Sequence, residues 1–345
     1  MRRIDTCPVC GSPPVYTVKK CINLDRTGGI LRGQYLEYNI KLCGESVAKE
    51  YFAICGECAA IYRALHFTDD EIKAIYKFLY FDFEKKFQNA IIYNDQKLMD
   101  ECSVKMYENV KNIEKNYNAD IKKIFDIGGR DGFRLGELAD NGYDCTVYDP
   151  IPQKTCSEKI YKRNIWSNEL RKDEKADLIV LCNVLEHSMN PRSLVEDCYA
   201  HLDKNGFLFI EIPVDFEAFL DWLLFYQLFK WPLGIDVTHH VFFSKRAINK
   251  LLGDGKFAVK KINYNRMPVC GARVMEILAQ KGAEQKMGGN KIKEGAGQSL
   301  LFFVVSLAEA FPRIALNIAY KSYHKLAKTI LGRSRGDVRN GSCHE

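Results

Sequence analysis

The middle of the chain alternates between short runs rich in apolar residues and stretches with helical spacing. Each run is followed at once by a glycine, aspartate, asparagine or proline. The runs are 124–127, 143–148, 176–182 and 207–212. Apolar runs without strict alternation are typical of parallel strands that are covered on both faces. Because helical patterns separate them, the sequence predicts an α/β fold, a doubly wound, Rossmann-like parallel sheet.

The flanking segments show other patterns. Short strands are predicted at 15–18 and 36–42, a capping signature at Thr68 to Glu71 opens a helical region, and a last strand pair is predicted at 257–264 and 273–279. These patterns divide the chain into a ribbon-like module, a helical connector, the α/β domain, a linker and a helical tail. Their predicted ranges are 1–60, 61–118, 119–280, 281–298 and 299–345.

Composition and charge are those of a globular protein, with 47% hydrophobic residues and a formal net charge of +6. The α/β range holds 22 Lys and Arg against 23 Asp and Glu, whereas the range 281–345 holds 11 against 5. A nucleic-acid enzyme more often has a basic catalytic body, so this distribution argues against a nucleic-acid partner. The basic N-terminus lacks an apolar segment after it, so we expect a cytoplasmic protein.

Two C-x-x-C pairs lie near the start, Cys7 with Cys10 and Cys55 with Cys58. Four thiolates in two such pairs can close a tetrahedral zinc site, and clustered cysteines in a reducing compartment more often hold a metal than form disulfides. We therefore predict a structural zinc ion in the first module. Free buried cysteines and a redox pair are the alternatives.

A glycine-rich turn follows the first central strand. Asp126 is followed by Gly128, Gly129 and Gly132, and a helical pattern starts near Phe133. Glycines let a nucleotide-like ligand approach the backbone closely, although a turn alone is weak evidence for a ligand. Asp149 strengthens the prediction because an acid at the end of the second strand can accept hydrogen bonds from the ribose hydroxyls of a bound nucleoside.

On these residues, and on the segment from Asp177 to His187 with its Val-Leu-Glu-His ending, the range 119–280 resembles the class I methyltransferases that use S-adenosylmethionine. With its cysteine pairs the chain is similar to the zinc-containing methyltransferases of nucleotide-linked deoxysugars. The turn departs from the family pattern at Arg130, where the commoner version has glycine. The chain is also too short to contain the second C-terminal domain of the larger sugar C-methyltransferases. This departure weakens the assignment of a carbon acceptor and leaves an oxygen acceptor fully open as an alternative.

The resemblance implies a role for each residue of the cofactor site. It implies that Gly128, Gly129 and Gly132 cradle the methionine part, that Asp149 holds the ribose, and that Asn183 faces the cofactor. A binding site for a nicotinamide dinucleotide fits less well, because the turn lacks the G-x-G-x-x-G spacing.

Three histidines are the candidate catalytic residues. Methyl transfer needs alignment and, for many acceptors, removal of a proton, which histidine performs near neutral pH. The resembling sugar C-methyltransferases commonly have Glu-His at the position of His239 and His240, with the His proposed as base. We predict His240 as the base, and His187 as its aid or as a donor that orients the substrate; a structural His187 and a solvated pair at His239 and His240 are the alternative.

Two further segments suggest surfaces. The aromatic stretch 216–233 is predicted as a lid over the site, with core packing or lipid contact as alternatives. The tail combines an apolar stretch with a basic helix, which suits either peripheral contact with an anionic membrane surface or docking on the body or on a second subunit.

The sequence therefore predicts an S-adenosylmethionine-dependent methyltransferase of carbohydrate biosynthesis. Its predicted substrate is a sugar or other small polar metabolite, and a substrate carried on a nucleotide or a lipid is one option. An RNA methyltransferase with a zinc recognition module is one alternative. A non-catalytic scaffold that binds the cofactor is the other.

Overall fold

The computed structural model of the protein describes residues 2–21, 49–66, 68, 70–71, 96–150, 154–163, 174–214, 239–266 and 273–282. The predicted strand 36–42, the aromatic stretch 216–233, most of the linker and the whole tail lie outside the described residues. Among the residues that are described, no helix has both the length and the apolarity needed to cross a membrane.

A seven-stranded sheet forms the centre of the described structure. Its strands, in chain order, are β6 (Lys123–Ile127), β7 (Asp144–Tyr148), β8 (Ile160–Arg163), β9 (Ala176–Cys182), β10 (Leu202–Pro213), β12 (Phe257–Arg266) and β13 (Arg273–Lys281). They lie side by side in the order β12-β13-β10-β9-β6-β7-β8. The neighbouring pairs from β10 to β8 are parallel, and β13 runs antiparallel to β10 and β12. The predicted Rossmann-like α/β fold is confirmed as a mostly parallel sheet.

Helices cover both faces of this sheet. The helices α1 (Gln96–Tyr117) and α2 (Gly136–Asp140) contribute to one apolar cluster, and α3 (Pro191–His201) and α4 (Lys245–Asp254) contribute to the other. Successive residues of β9 alternate between them: Ile179 belongs to the cluster with α3, and Val180 to the cluster with α1. This alternation follows from the two-residue period of a strand, and it shows that the sheet is doubly wound.

The first residues form a second, smaller sheet. Its strands are β2 (Tyr16–Cys21), β3 (Lys49–Ile54), β4 (Ile61–Arg63) and β11 (Val241–Phe242), in the order β11-β4-β3-β2. Two short strands, β1 (Arg2–Arg3) and β5 (Leu65–His66), pair antiparallel beside it. The range predicted as a helical connector therefore opens with strands, because β4 pairs with β3 on one side and with β11 on the other.

The predicted helix start at Thr68 is confirmed by a reciprocal capping box. The backbone N–H of Thr68 donates to Glu71 Oε2 at 2.6 Å, and the N–H of Glu71 donates to Thr68 Oγ1 at 3.3 Å. These bonds satisfy two N–H groups that a helix terminus would otherwise leave without partners.

Candidate active site

The turn after β6 is built from residues in the left-handed backbone region. Gly128 and Gly132 have φ of +74° and +79°, which glycine adopts without strain. Arg130 has φ of +56° in the same turn. The position at which the chain departs from the commoner family pattern thus retains the conformation that favours glycine, at a cost of about 1–2 kcal/mol.

Gly129 is required for a different reason, which is space. A Cβ atom at Gly129 would lie 2.3 Å from Asp126 Oδ2, and one at Gly128 would lie 2.5 Å from Val184 Cγ2. Any side chain at these positions would push the turn away from the ends of β6 and β9. The two glycines therefore keep the turn close against both strands.

The acid at the end of β7 is bonded to this turn. Asp149 is 3% exposed, and its Oδ2 accepts a hydrogen bond of 2.9 Å from the backbone N–H of Arg130. On the other side of the turn, the N–H of Gly128 donates to the carbonyl of Tyr148 at 2.7 Å. The structure thus brings together the glycine turn and the acid that the sequence predicted as the ribose ligand.

Asp126 is a buried carboxyl group beneath the turn. Burial raises its pKa to about 7, while the Arg134 guanidinium opposes the rise and the Asp149 carboxylate adds to it. Within the described structure, Asp126 Oδ2 has no hydrogen-bond partner. A polar atom left so close to Gly129 is available to a ligand that lies in the turn.

Asn183 follows β9 at the same edge of the sheet. It has φ of +54°, which asparagine adopts more readily than most residues, and its N–H donates to the Glu211 carbonyl at 2.8 Å. Glu211 also accepts a hydrogen bond of 3.4 Å from Arg134 Nη2, and both side chains are buried. Asp126, Asp149 and Asn183 therefore lie at the carboxyl ends of three adjacent strands, where doubly wound sheets bind ligands.

Two of the three predicted histidines are in contact. The His187 and His239 rings lie edge to face with their centroids 4.7 Å apart, and both are partly exposed. His240 is 2% exposed, and its backbone N–H donates to the Glu186 carbonyl at 2.7 Å. All three histidines thus lie near the residues that follow β9, and only His187 and His239 present partly exposed rings.

A residue of the N-terminal sheet fixes the backbone of the histidine pair. Arg63 Nε donates to the His239 carbonyl at 2.8 Å, and the Arg63 backbone N–H donates to the His240 carbonyl at 2.9 Å. Nearby, Ser244 Oγ donates to the Cys58 carbonyl at 3.3 Å. The cysteine module and the candidate catalytic residues therefore belong to one hydrogen-bonded assembly.

The four predicted cysteines form one cluster. Their sulfur atoms all lie within 4.8 Å of one another, with 3.6 Å between Cys7 and Cys58 and 3.4 Å between Cys10 and Cys55. The hydrogen bond with Cys58 lowers the pKa of Cys7 to about 6 and raises that of Cys58, and burial raises the pKa of Cys55 to about 11. The cluster therefore favours a thiolate at one sulfur, which is the form that binds metal ions.

The sequence-based predictions did not include the residues that form hydrogen bonds to the site residues or lie next to them. They are Arg63, Arg134, Lys162, Glu186 and Glu211. Glu186 stands inside the Val-Leu-Glu-His motif and could have been found from its place beside His187. Lys162 donates to the Arg130 carbonyl at 2.6 Å, and no local pattern marks it, because the two residues meet only through sheet topology.

Comparison with known proteins agrees with this geometry. Residues 100–261 match the family model described as a methyltransferase domain. No curated protein matches the sequence significantly. Taken with the sheet order and the glycine turn, the match makes this central part a class I methyltransferase domain, the S-adenosylmethionine-dependent class.

Several solved structures are similar in fold. The 1,6-didemethyltoxoflavin-N1-methyltransferase of Burkholderia thailandensis, bound to 1,6-didemethyltoxoflavin and S-adenosylhomocysteine, aligns with a TM-score of 0.46 and 13% identity over 67% of this chain and 95% of that one. The magnesium protoporphyrin IX methyltransferase of Synechocystis aligns with a TM-score of 0.44 and 16% identity, over 61% of this chain and 99% of that one.

Proposed function

We propose that the chain binds S-adenosylmethionine in the turn from Asp126 to Gly132 and transfers its methyl group to a sugar or other small polar metabolite. The observation that carries the cofactor part is the hydrogen bond between Asp149 and the Arg130 N–H. It supports the proposal because the acid to which the resemblance assigns the ribose lies directly beside the turn. The bound cofactor would supply a methyl group already activated on a sulfonium sulfur.

The residues present fit this cofactor. A side chain at Gly128, Gly129 or Gly132 would collide with the side chains of the neighbouring strands and loops, so glycine keeps the turn close to the strand ends where the methionine part would lie. Asp149 would bind the ribose hydroxyls, as the resemblance implies, and the unpartnered Asp126 Oδ2 offers an acceptor beneath the turn. Asn183 completes the edge from β9. No part of this cradle needs the dinucleotide spacing that the turn lacks.

We assign the protein side of the chemistry to the three histidines. In this proposal His240 takes up the proton of the acceptor, while His187 and His239 orient the acceptor. Their partly exposed rings support the orienting role, and the hydrogen bond from the His240 N–H to the Glu186 carbonyl supports a fixed position for the base. A positioned base typically contributes about 10²–10⁴-fold to the rate.

The proposed substrate class follows from charge and from the resemblance. The near-equal numbers of acidic and basic residues between 119 and 280 argue against a nucleic-acid substrate, and the sequence is similar to sugar methyltransferases in its motifs. A small polar acceptor fits both observations. An RNA substrate is the outcome that a labelling assay on total RNA would reveal.

We propose that the four-cysteine cluster holds a structural zinc ion. Zinc–sulfur bonds of about 2.3 Å at tetrahedral angles place sulfur atoms about 3.8 Å apart. The measured distances of 3.4 and 3.6 Å are close to this value, so the residues present fit the ion. Cys7, Cys10, Cys55 and Cys58 would close the coordination sphere, which suits a structural role.

The experiment for this function is mass spectrometry of nucleotide sugars and glycan fragments incubated with the protein and labelled S-adenosylmethionine. A mass increase of one methyl group in a sugar or small metabolite is the expected result. The variant His240→Gln should lose turnover and retain cofactor affinity. Unchanged turnover in this variant would overturn the assignment of the base, and methylation of RNA alone would overturn the substrate class.

A further inference from the structure

The histidine pair lies beside a buried carboxylate. Glu186 is 2% exposed, and its Oε1 lies 3.9 Å from His187 Nε2. One ligand atom each from Glu186, His187 and His239 can be chosen so that all lie within 4.8 Å of one another. Imidazole nitrogen and carboxylate oxygen are common ligands of divalent first-row transition metals.

The spacing is close to that of ligands around one ion. Ligand bonds of about 2.0–2.2 Å place neighbouring ligand atoms about 3–4 Å apart. The Glu186–His187 distance of 3.9 Å is already in this range, and the upper limit of 4.8 Å for the whole set exceeds it by about 1 Å. The backbone around them is held by hydrogen bonds, because the backbone N–H of His240 donates to the backbone carbonyl of Glu186 and Arg63 Nε donates to the His239 carbonyl.

We propose that Glu186, His187 and His239 bind a divalent transition-metal ion at the edge of the cofactor site. Three ligands from the protein leave coordination positions for another molecule, which is the arrangement of a catalytic rather than a structural metal site. This site is separate from the cysteine cluster, because its ligands are other residues. Glu186 and the two imidazoles provide only oxygen and nitrogen atoms, whereas the cysteines provide only sulfur.

The position relative to the cofactor turn gives the ion a role. Val184 packs against Gly128 in the turn, and Glu186 and His187 follow two and three residues later. The metal-binding residues therefore continue directly from a residue that touches the methionine cradle. An acceptor held at the ion would therefore lie close to this cradle.

This inference rests on the proposed function and deepens it by favouring an oxygen acceptor. An acceptor hydroxyl held by a divalent cation loses its proton more readily than in water. In the proposed step the O–H bond breaks and the proton passes to His240. The oxygen then forms a bond to the methyl carbon while the C–S bond breaks, which leaves S-adenosylhomocysteine and the methyl ether.

Equilibrium dialysis of the full chain against Mn²⁺ tests the site directly. Mn²⁺ prefers oxygen and nitrogen ligands to thiolates, so it reports on this cluster and not on the cysteines. The expected result is one Mn²⁺ per chain. Glu186→Gln, His187→Gln and His239→Gln should each weaken Mn²⁺ binding by at least about 10–100-fold. A loss of this size is already typical when a residue that is hydrogen-bonded to a metal ligand is changed.

Two matched variants control for the substitutions. Glu196→Gln changes an exposed carboxylate on α3, and His201→Gln changes a buried histidine on the same helix; both should bind Mn²⁺ like the parent chain. Near-ultraviolet circular dichroism checks folding in each case. If Glu186→Gln fails to fold, the partly exposed His187 and His239 still carry the test.

Two results would overturn the proposal. One is the absence of bound Mn²⁺, and of any Zn²⁺ or Co²⁺ beyond the amount that a Cys58→Ser variant of the cysteine cluster loses. The other is binding that is unchanged in the His187 and His239 variants. Calorimetry with S-adenosylhomocysteine on the same samples separates this failure from failure of the proposed function, because cofactor binding does not require the ion.

Discussion

Arg63 Nε donates a hydrogen bond of 2.8 Å to the backbone carbonyl of His239, and this bond joins the cysteine-bearing sheet to the histidine pair. The pairing of β4 with β11 extends the same connection to Val241 and Phe242. The N-terminal module is therefore part of what positions the candidate catalytic residues.

Arg63→Met tests this positioning. The change keeps the apolar stem and removes the donor, so the His239 carbonyl loses a bond whose absence costs about 1–3 kcal/mol when buried. We expect kcat to fall about tenfold or more while the Kd for S-adenosylhomocysteine stays the same. Arg3→Met, at an exposed position on β1, is the control. Equal losses of kcat in both variants would contradict the positioning role.

Gly129→Ala tests the fit of the cofactor turn. The added methyl group would lie 2.3 Å from Asp126 Oδ2, so the turn or the Asp126 carboxyl group must move. A displacement of about 1 Å in such a site can cost about 100-fold, and we expect a loss of that order in cofactor affinity. Gly253→Ala is the matched control, because a Cβ there meets nothing within 4 Å and alanine favours the end of α4. Calorimetry with S-adenosylhomocysteine measures both, and equal affinities would show that the turn does not hold the ligand.

The sheet could be predicted from the sequence because its strands carry strong local signals. The apolar run 176–182 coincides with β9, and the last strand pair lies within β12 and β13. Asp149, which the sequence predicts as the ribose ligand, lies next to the glycine turn, because the order strand, helix, strand brings the ends of β6 and β7 to one edge.

Other features could not be predicted, because they depend on contacts between distant parts of the chain. The strand β11 has only two residues, and it exists because β4 lies beside it. The helix expected after the glycine turn is a short 3₁₀ turn followed by five helical residues, which the break at Asn141 and Gly142 ends. The contacts of Arg63 and Lys162 join residues that are far apart in sequence, so periodicity carries no trace of them.

The raised pKa of Asp126 predicts a pH-dependent stability. The folded state keeps this carboxyl protonated up to about pH 7, whereas the unfolded chain ionises it near 3.8. Between these values the folded state binds more protons than the unfolded chain, so the free energy of unfolding falls as the pH rises. The contribution of Asp126 to stability is therefore full below pH 3.8 and is lost as the pH rises to about 7. Asp126→Asn stays neutral and avoids that loss.

Urea unfolding of the parent chain and of Asp126→Asn at several pH values measures this effect. The free energy of unfolding of the variant, relative to the parent, should rise by up to about 1.4 kcal/mol per pH unit between pH 4 and 7. Above pH 7 the difference should level off. A difference that is constant across this range would show that Asp126 ionises at an ordinary pH in the folded protein.

Cys58→Ser tests the metal proposed for the cysteine cluster. Cys58 is fully buried at 0% exposure and lies 3.6 Å from Cys7. Loss of one ligand should lower the zinc content and reduce the melting temperature by about 5 °C or more. Cys156→Ser, at an exposed cysteine, should change neither. Elemental analysis measures the zinc content. Equal zinc content in both variants would contradict the assignment of zinc to the cysteine cluster.

We propose that the Asp149 carboxylate and the glycine turn form the binding site of S-adenosylmethionine. Isothermal titration calorimetry with S-adenosylhomocysteine, on the parent chain and on Asp149→Ala, tests it most directly. We expect one site per chain in the parent and a loss of at least about tenfold in affinity in the variant, as expected for a buried hydrogen-bonded carboxylate. Absence of binding to the parent chain, or equal affinity in the variant, would contradict it.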